Sequence, residues 1–350
     1  MASVRERNNA TVRDVARVAR VSTATVSRVM SQPGIVRPQT RKRIERAMAR
    51  LNYVSDGLAR ALSTRRTRTI GAVIPTLDNA IYSVSTHSLQ KTLEQAGYTL
   101  LLACHEFDLA AEARMVRAFA ERGVDGLVLV GTMHAPATRK LLATLGIPAV
   151  FTWALDKARH NASVGFDNQA AGRLIAAHLL ELGHRRIGVV SGRLEGNDRA
   201  IDRLDGVRAE LARAGVALPA ANVEEAPYAL QAGREALMAL MGRAKLTAVI
   251  CGNDVLAIGA IQCAQRLGLR VPQDLSITGL DDMEIASIVT PALTTVRFPI
   301  AEVGTQAAHH LLERMRGAAP RCIELPLALV VRESASPPQK ELRDAMTFSQ

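Results

Sequence analysis

The sequence predicts a chain in two parts. An all-α helix-turn-helix headpiece with a hinge comes first, followed by a two-lobed α/β domain built on two doubly wound parallel sheets. Three observations predict this. Positive charge is confined to one end: Met1–Arg68 carries 16 Lys and Arg against 4 Asp and Glu, a net of +12, whereas the remainder carries 28 against 29, a net of −1. The charged segment has apolar residues at i, i+3, i+4 and i+7, the period of a helix. From Thr69 onward, short uniformly apolar runs alternate with amphipathic stretches of helix length, as doubly buried parallel strands and their crossover helices do. Segregated positive charge is the footprint of polyanion binding. RNA and acidic membranes share that footprint, so the residue pattern has to decide.

Val12, Val15, Ala16 and Ala19 line one face of a first helix. Thr11 is its N-cap, with Asp14 at the capping-box position. Ser22 caps a second helix whose Val26, Val29 and Met30 face inward. Two helices joined by three or four residues form a helix-turn-helix, whose second helix enters the major groove. Thr23, Ala24 and Arg28 then lie on its outer face, where base edges are read. Arg28 suits bidentate contact to guanine, and the hydroxyls of Thr25 and Ser27 suit phosphates, which fix register. A third helix starts at Pro38 and buries Ile44, Ala47, Met48 and Leu51. Arg41, Lys42, Arg43 and Arg46 lie on or beside its other face, near a DNA backbone or in water. Asn52–Tyr53 ends it, with Tyr53 packed on the three-helix core.

The run Thr25-Val-Ser-Arg-Val29, the Thr40-Arg41 helix start and the Leu51-Asn52-Tyr53 ending resemble the headpiece of the LacI-type (lactose repressor) family of bacterial transcription regulators. The likeness covers headpiece and hinge from Val12 to Leu62 and continues to about Glu333. It implies a headpiece over 1–56, a hinge and linker over 57–68, a periplasmic-binding-protein-like effector and dimerisation domain over 69–333, and a tail over 334–350. It also implies DNA contacts from Thr11, Ser22, Thr23, Ala24, Thr25, Ser27, Arg28, Arg37, Thr40, Asn52 and Tyr53, with Ala59 and Leu62 added by the hinge. The partners it implies are a palindromic operator, bound by a homodimer, and a small effector.

Two residues depart from the family pattern: Arg20 stands where the inter-helix turn usually has Gly, and Ser55 where Pro is usual. The hinge Gly57–Thr64 spans one or two helical turns, far below the ~12–15 residues an isolated helix needs in water. It is expected to be disordered when free and helical when two copies pair on DNA. Leu62 matches the family's minor-groove wedge; the alternative is an ordinary linker leucine.

The expected strands are Ile70–Ile74, Tyr98–Ala103, Gly126–Val130, Ala149–Phe151, Ile187–Val190, Ala248–Cys251 and Leu275–Thr278. The expected helices are His87–Ala96, Ala111–Glu121, Gln169–Leu182, Arg203–Ala214, Gly233–Met241, Val255–Leu267 and Glu302–Arg316. Gly97, Gly123, Gly146, Gly183, Gly215 and Gly268 follow helical runs as stops. So much α/β sequence suggests two lobes, and the resemblance places their division near Asp167 and Arg297, with the C-terminal segment returning to the first lobe.

Ligands of open α/β sheets bind beyond the carboxyl ends of the strands. The residues following strands there, most of them polar, are Asp78, Asn79, Ile81 and Tyr82, then Trp153, Arg203, Asn253 with Asp254, and Asp281 with Asp282. Arg203, Asn253 and Asp281 match positions at which the family binds its effector. Their guanidinium, amide and carboxylate suit the hydroxyls of a sugar or sugar acid, and Trp153 can stack on a sugar ring. The alternative for Asp281 and Arg203 is an interlobe ion pair, and Trp153 and Tyr82 would serve equally as core. The run Asn197-Asp-Arg-Ala200 with Trp153 resembles a gluconate-regulator branch. A purine effector calls for more aromatic stacking than these residues offer.

No catalytic motif is present: G-x-S-x-G, G-x-G-x-x-G and Walker A sequences are all missing. No cofactor or metal is expected, because His309-His310 lacks spaced partners and the four cysteines include no C-x-x-C pair. They read as reduced thiols in a cytoplasmic, nucleoid-associated protein. The charges of Gly183-His-Arg-Arg-Ile187 read as solvated. No run approaches the length of a membrane span and no signal core is present, which argues against an exported sugar-binding protein. The tail Ser334–Gln350 has no heptad repeat and is expected to be disordered, leaving a dimer.

Overall fold

A computed structural model describes residues 10–31, 33–53, 66–158 and 160–339. The chain divides between Thr67 and Arg68 into two compact units. The first contains α1 (Val12–Ala19), α2 (Thr23–Ser31) and α3 (Pro38–Arg50). Val15, Ala16, Ala19, Val26, Val29, Ile44 and Ala47 form its buried core, with Tyr53 packed against it. Thr11 and Asp14 form the expected capping box. Arg20 takes the left-handed conformation (φ 49, ψ 52) that the turn requires, at about 1–2 kcal/mol of strain that a glycine would avoid. The hinge residues Ala59 and Leu62, together with Ser55, lie outside the described residues.

The second unit begins with a lobe of β1 (Thr69–Ile74), α4 (Ala80–Gln95), β2 (Thr99–Cys104), α5 (Leu109–Glu121), β3 (Gly126–Val130), α6 (Pro136–Leu145), β4 (Ala149–Thr152) and β5 (Ala162–Gly165). The chain then crosses to a second lobe of α7 (Asn168–Glu181), β6 (Ile187–Gly192), α8 (Asp198–Arg213), β7 (Val223–Ala226), α9 (Leu230–Arg243), β8 (Ala248–Cys251), α10 (Asp254–Arg266) and β9 (Ser276–Thr278). After α11 (Ile285–Ile288) and β10 (Thr295–Arg297), α12 (Ile300–Arg314) and β11 (Cys322–Glu324) return to the first lobe. Finally β12 (Ala328–Val330) comes back to pair antiparallel with β10.

The sheet orders are β11-β5-β4-β3-β1-β2 and β7-β6-β8-β9, all parallel, with switch points beside β1 and β6. The division expected near Asp167 and Arg297 is therefore present, and a third crossing precedes β12. All six glycines read as helix stops have positive φ.

Several expectations need correction. Strand β2 is not buried on both faces: it is the edge of its sheet, and its residues are half-buried or exposed. Helix α4 begins at Ala80, seven residues before the expected His87, because Asn79 caps it. Helix α8 begins at Asp198, so Arg203 lies inside it rather than at its start. His184 is not solvated. It is 1% exposed, with Nδ1 3.0 Å from Thr247 Oγ1 and Nε2 2.9 Å from the Ser336 carbonyl.

That last contact shows that the tail does not begin at Ser334. Ser334 is fully buried; its hydroxyl donates to the Ile277 carbonyl at 2.6 Å and accepts from Thr294 N–H at 2.8 Å. Ser336 N–H donates to Ser276 Oγ at 3.1 Å. Ending the chain at Glu333 would strip partners from buried groups at about 1–3 kcal/mol each, whereas ending it at Gln339 would remove none of these bonds. Urea unfolding is expected to show a loss of about 3 kcal/mol for the first truncation and no loss for the second.

Candidate DNA interface and effector cleft

In the headpiece the two helices of the turn present Thr23, Ala24, Ser27 and Arg28 as exposed residues, while Val26 and Val29 of the same helix are buried. Two hydroxyls expected to contact DNA, that of Thr11 and the Thr25 hydroxyl expected at a phosphate, have local partners. Thr11 Oγ1 donates to Asp14 Oδ2 at 2.7 Å, and Thr25 Oγ1 lies 2.8 Å from Ser22 Oγ, which also accepts from Thr25 N–H at 3.2 Å. Arg37 is exposed at the N-cap of α3 and Thr40 is half-buried in its first turn. Asn52 is exposed with φ 47, and Tyr53 N–H closes the helix end on the Met48 carbonyl at 2.9 Å.

In the two-lobed unit, the strand ends bring the expected effector residues to facing walls. Tyr82 and Trp153 of the first lobe are 4% and 3% exposed, with ring centroids 5.2 Å apart edge to face. They form a wall of the cleft and belong to the core of the unit at the same time. Ile81 is buried behind them. Asn79 spends its Oδ1 on Ile81 N–H at 3.3 Å. Asp78 and Asn79 line a cavity of about 380 Å3 with Phe107, Asn197 and Tyr228.

On the second lobe, Arg203 reaches Asn168 Oδ1 at 3.3 Å and the Tyr228 hydroxyl at 3.0 Å. No ion pair joins Arg203 to Asp281 among the described residues; both belong to the second lobe. The position of Arg203 depends on Gly172, where a Cβ would stand 2.0 Å from the Arg203 carbonyl oxygen, so α7 presses directly on α8. Asn253 caps α10 by accepting from Leu256 N–H at 2.9 Å, which leaves its buried Nδ2 without a partner in the protein. Asp281 is 2% exposed and its Oδ2 also has none.

Two of these residues hold unusual backbone conformations: Trp153 has φ 69 and Asp281 φ 129. Non-glycine residues at positive φ cost on the order of 1–3 kcal/mol and collect where a ligand must be gripped.

Sequence reasoning missed the bridge across the cleft. Asp198, the first residue of α8, accepts from Thr132 N–H at 2.5 Å, Thr132 Oγ1 at 2.9 Å and Met133 N–H at 3.1 Å, all in the first lobe. Burial raises the pKa of Asp198, but the Arg199 guanidinium and the Thr132 and Met133 donors outweigh this and hold it below the ordinary value. Arg199 is 4% exposed, pairs with Asp198 at 2.5 Å and hydrogen-bonds Tyr82. Gly131 makes room for both: a Cβ there would lie 2.1 Å from Arg199 Nη1 and 2.6 Å from Asp198 Oδ1.

The aromatic content of the cleft also corrects the sequence reading. Phe107, Phe166, Tyr228 and Phe298 join Tyr82 and Trp153, with Phe166 stacked on Phe298 at 4.3 Å and Phe107 6.3 Å from Tyr228. Phe107, Phe166 and Phe298 lie one to three residues past strand ends, and Tyr228 two past β7. Strands β5, β7 and β10 were not expected at all.

Beneath Asp281 lies a second buried acid. Asp254 accepts from Thr295 Oγ1 at 2.6 Å and Met283 N–H at 2.8 Å. Burial pushes its pKa up from 3.8 to about 7, against the lowering effect of those two donors and with Asp282 adding to the rise and Arg332 opposing it. Burial and the Asp254 charge push Asp281 up as well, against Arg203. A carboxyl protonated in the folded state and ionised in the unfolded chain stabilises most below the unfolded pKa, and this contribution is lost as pH rises through the folded one. Between about pH 4 and pH 7, wild-type unfolding free energy is therefore expected to fall relative to Asp254→Asn by about 1.4 kcal/mol per pH unit. A flat difference in chemical unfolding across that range would contradict the assignment.

Among the described residues no cluster of His, Cys, Asp and Glu could hold a metal ion. His310 instead joins α12 to the Arg321 carbonyl at 3.1 Å. All four cysteines are free thiols. No helix of the described residues is long and apolar enough to cross a membrane.

Residues 11–56 match the family described as bacterial regulatory proteins, lacI family, and residues 176–335 match a periplasmic binding protein-like domain. The chain is 33% identical to the ribose operon repressor of Haemophilus influenzae over 330 residues, covering 93% of this chain and 98% of that one. It is 34% identical to the HTH-type transcriptional repressor PurR of Klebsiella pneumoniae over 333 residues, 93% of this chain and 97% of that one. Among solved structures, the lac repressor dimer bound to operator and the anti-inducer ONPF superposes with a TM-score of 0.84 at 29% identity, over 94% of this chain and 100% of that one. The transcription regulator GntR from Chromobacterium violaceum superposes with a TM-score of 0.72 at 34% identity, over 76% and 99%.

Proposed function

The chain belongs to the lacI family of bacterial regulatory proteins, a family of DNA-binding repressors, and from that premise we propose that it works in the bacterial cytoplasm as a homodimer on a palindromic operator, controlled by a small effector held between its lobes. The observation that carries the DNA reading is the exposed face of α2, where Arg28 is the one basic side chain positioned for base edges. Arg28→Ala is expected to cost about 1–3 kcal/mol per subunit on operator DNA and little on random DNA. Fluorescence anisotropy on both duplexes measures this, and equal weakening on both would make Arg28 a phosphate contact.

The effector the cleft favours is a small polyhydroxylated acid of the gluconate kind. The Asp281 carboxyl oxygen and the Asn253 amide are buried acceptor and donor without partners in the protein. With Arg203 acting on Asp281 from the same lobe, they offer hydroxyl recognition and a cation for a carboxylate. One observation favours a second reading, a purine: the Phe107 and Tyr228 rings line the cavity that Asp78 and Asn79 also line. A thermal-shift screen of sugars, sugar acids, nucleosides and purines separates the two. A ligand at 100 times its Kd stabilises the fold by about 2.7 kcal/mol, and a response confined to purine bases would overturn the sugar-acid reading.

A further inference from the structure

The positive charge of the headpiece is not concentrated on the helix that reads DNA. Over residues 10–53, ten Lys and Arg face two acids, Asp14 and Glu45. Those acids pair with Arg17 at 2.7 Å and Arg41 at 3.6 Å. Helix α2 carries one basic residue, Arg28. Four others, Lys42, Arg43, Arg46 and Arg50, line a groove of about 520 Å3 together with Gln39 and the exposed Val18. This groove opens between α1 and α3, and no residue of α2 contributes to it.

Lys42, Arg46 and Arg50 succeed one another at i, i+4 and i+8, a row about 12 Å long at ~1.5 Å rise per residue. None has a carboxylate partner among the described residues. Like charges at that spacing repel by about 0.2–0.5 kcal/mol per pair, so the row is unfavourable until an extended anion neutralises it. Duplex DNA presents one negative charge per ~1.7 Å of axis, a density that matches a linear cationic row better than a compact anion does.

We propose that the α1–α3 groove is a second, sequence-independent DNA-binding surface that holds the phosphate backbone of a separate duplex, so that a protein seated on its operator bridges two DNA segments. Phosphate contacts carry no sequence information, so the second duplex needs no operator. Three phosphate contacts give a salt slope of about −2.7 in log K against log salt, or roughly a 40-fold loss of capture between 50 and 200 mM salt.

The test uses the full chain, an operator duplex recovered by selection and fixed to beads, and a fluorescent duplex lacking the operator. Wild type is expected to capture the second duplex. The triple variant Lys42→Gln/Arg46→Gln/Arg50→Gln, which keeps good helix formers at exposed sites, should capture at least tenfold less while its operator affinity changes less than threefold. Arg46→Glu alone should lower capture in the same direction. Absence of capture by wild type overturns the proposal, as does equal capture by the variants, which would place the bridge elsewhere. A parallel loss of operator affinity would assign the groove to the operator itself. Displacement of the second duplex by polyglutamate at equal charge would assign it to an acidic polypeptide.

Discussion

Asp198→Ala is expected to lower the unfolding free energy of the two-lobed unit by about 3–5 kcal/mol, the usual result of breaking a buried ion pair by removing one partner. The carboxylate does two things that no neighbour can replace. It neutralises Arg199, whose side chain is 5% exposed, and it accepts three hydrogen bonds from Thr132 and Met133 across the cleft. Without it the guanidinium stays charged and buried, and it regains hydration only if the lobes part. Asp198→Asn keeps an acceptor for the first lobe but not the charge, and should fall between wild type and Asp198→Ala. Trp153 is the chain's single tryptophan and is packed against Tyr82 in the cleft wall. Its fluorescence during urea unfolding therefore reports on this unit, and a loss below about 1 kcal/mol would show that the pair does not hold the lobes together.

This bridge illustrates how far the sequence could be read. The headpiece was legible almost to the residue, because its signals are local: the Thr11–Asp14 box, the period of α1 and α3, and the turn at Arg20 all act within four or five positions. The strands were legible where they are doubly buried and uniformly apolar, as in β1, β3 and β8. They were not legible where the run is broken by polar or small residues, as in β5, β7, β10 and β11, or where only three half-buried or exposed residues pair, as in β12.

The site followed the same rule. Arg203, Asn253 and Asp281 stand after strands that could be recognised. Phe166, Tyr228 and Phe298 follow strands that could not, so the aromatic wall was underestimated. Asp198 and Arg199 lay in a run that drew notice only by resemblance. Their role depends on Thr132 and Met133, some 65 residues away, and no local spacing encodes that. The tail was misread because Ser334 and Ser336 are polar, and polar residues can be buried when partners such as Thr294 N–H, Ser276 Oγ and His184 await them.

Asp281→Ala should separate effector response from DNA binding. The residue lies at the end of β9 in the second lobe, and no headpiece residue is needed for its contacts, so operator affinity without effector should be unchanged. Effector binding loses a hydrogen bond and leaves the effector group facing Asp281 buried and unpaired, at about 1–3 kcal/mol, or roughly a 5- to 150-fold rise in Kd at 1.4 kcal/mol per tenfold. Arg203→Ala should weaken effector binding in the same direction, because it removes a donor and also releases Tyr228 and Asn168 from their hydrogen bonds. The control is reciprocity. An effector alters operator affinity only through its different affinity for two arrangements of the protein, and operator must then alter effector affinity by the same factor. Calorimetric titration of wild type with effector, with and without operator, should give two different Kd values, and the two values for Asp281→Ala should both move toward weaker binding. Identical wild-type values would leave a DNA-binding protein whose cleft does not regulate it. An unchanged effector Kd in Asp281→Ala would place the ligand elsewhere in the cleft, against the Phe107–Tyr228 side.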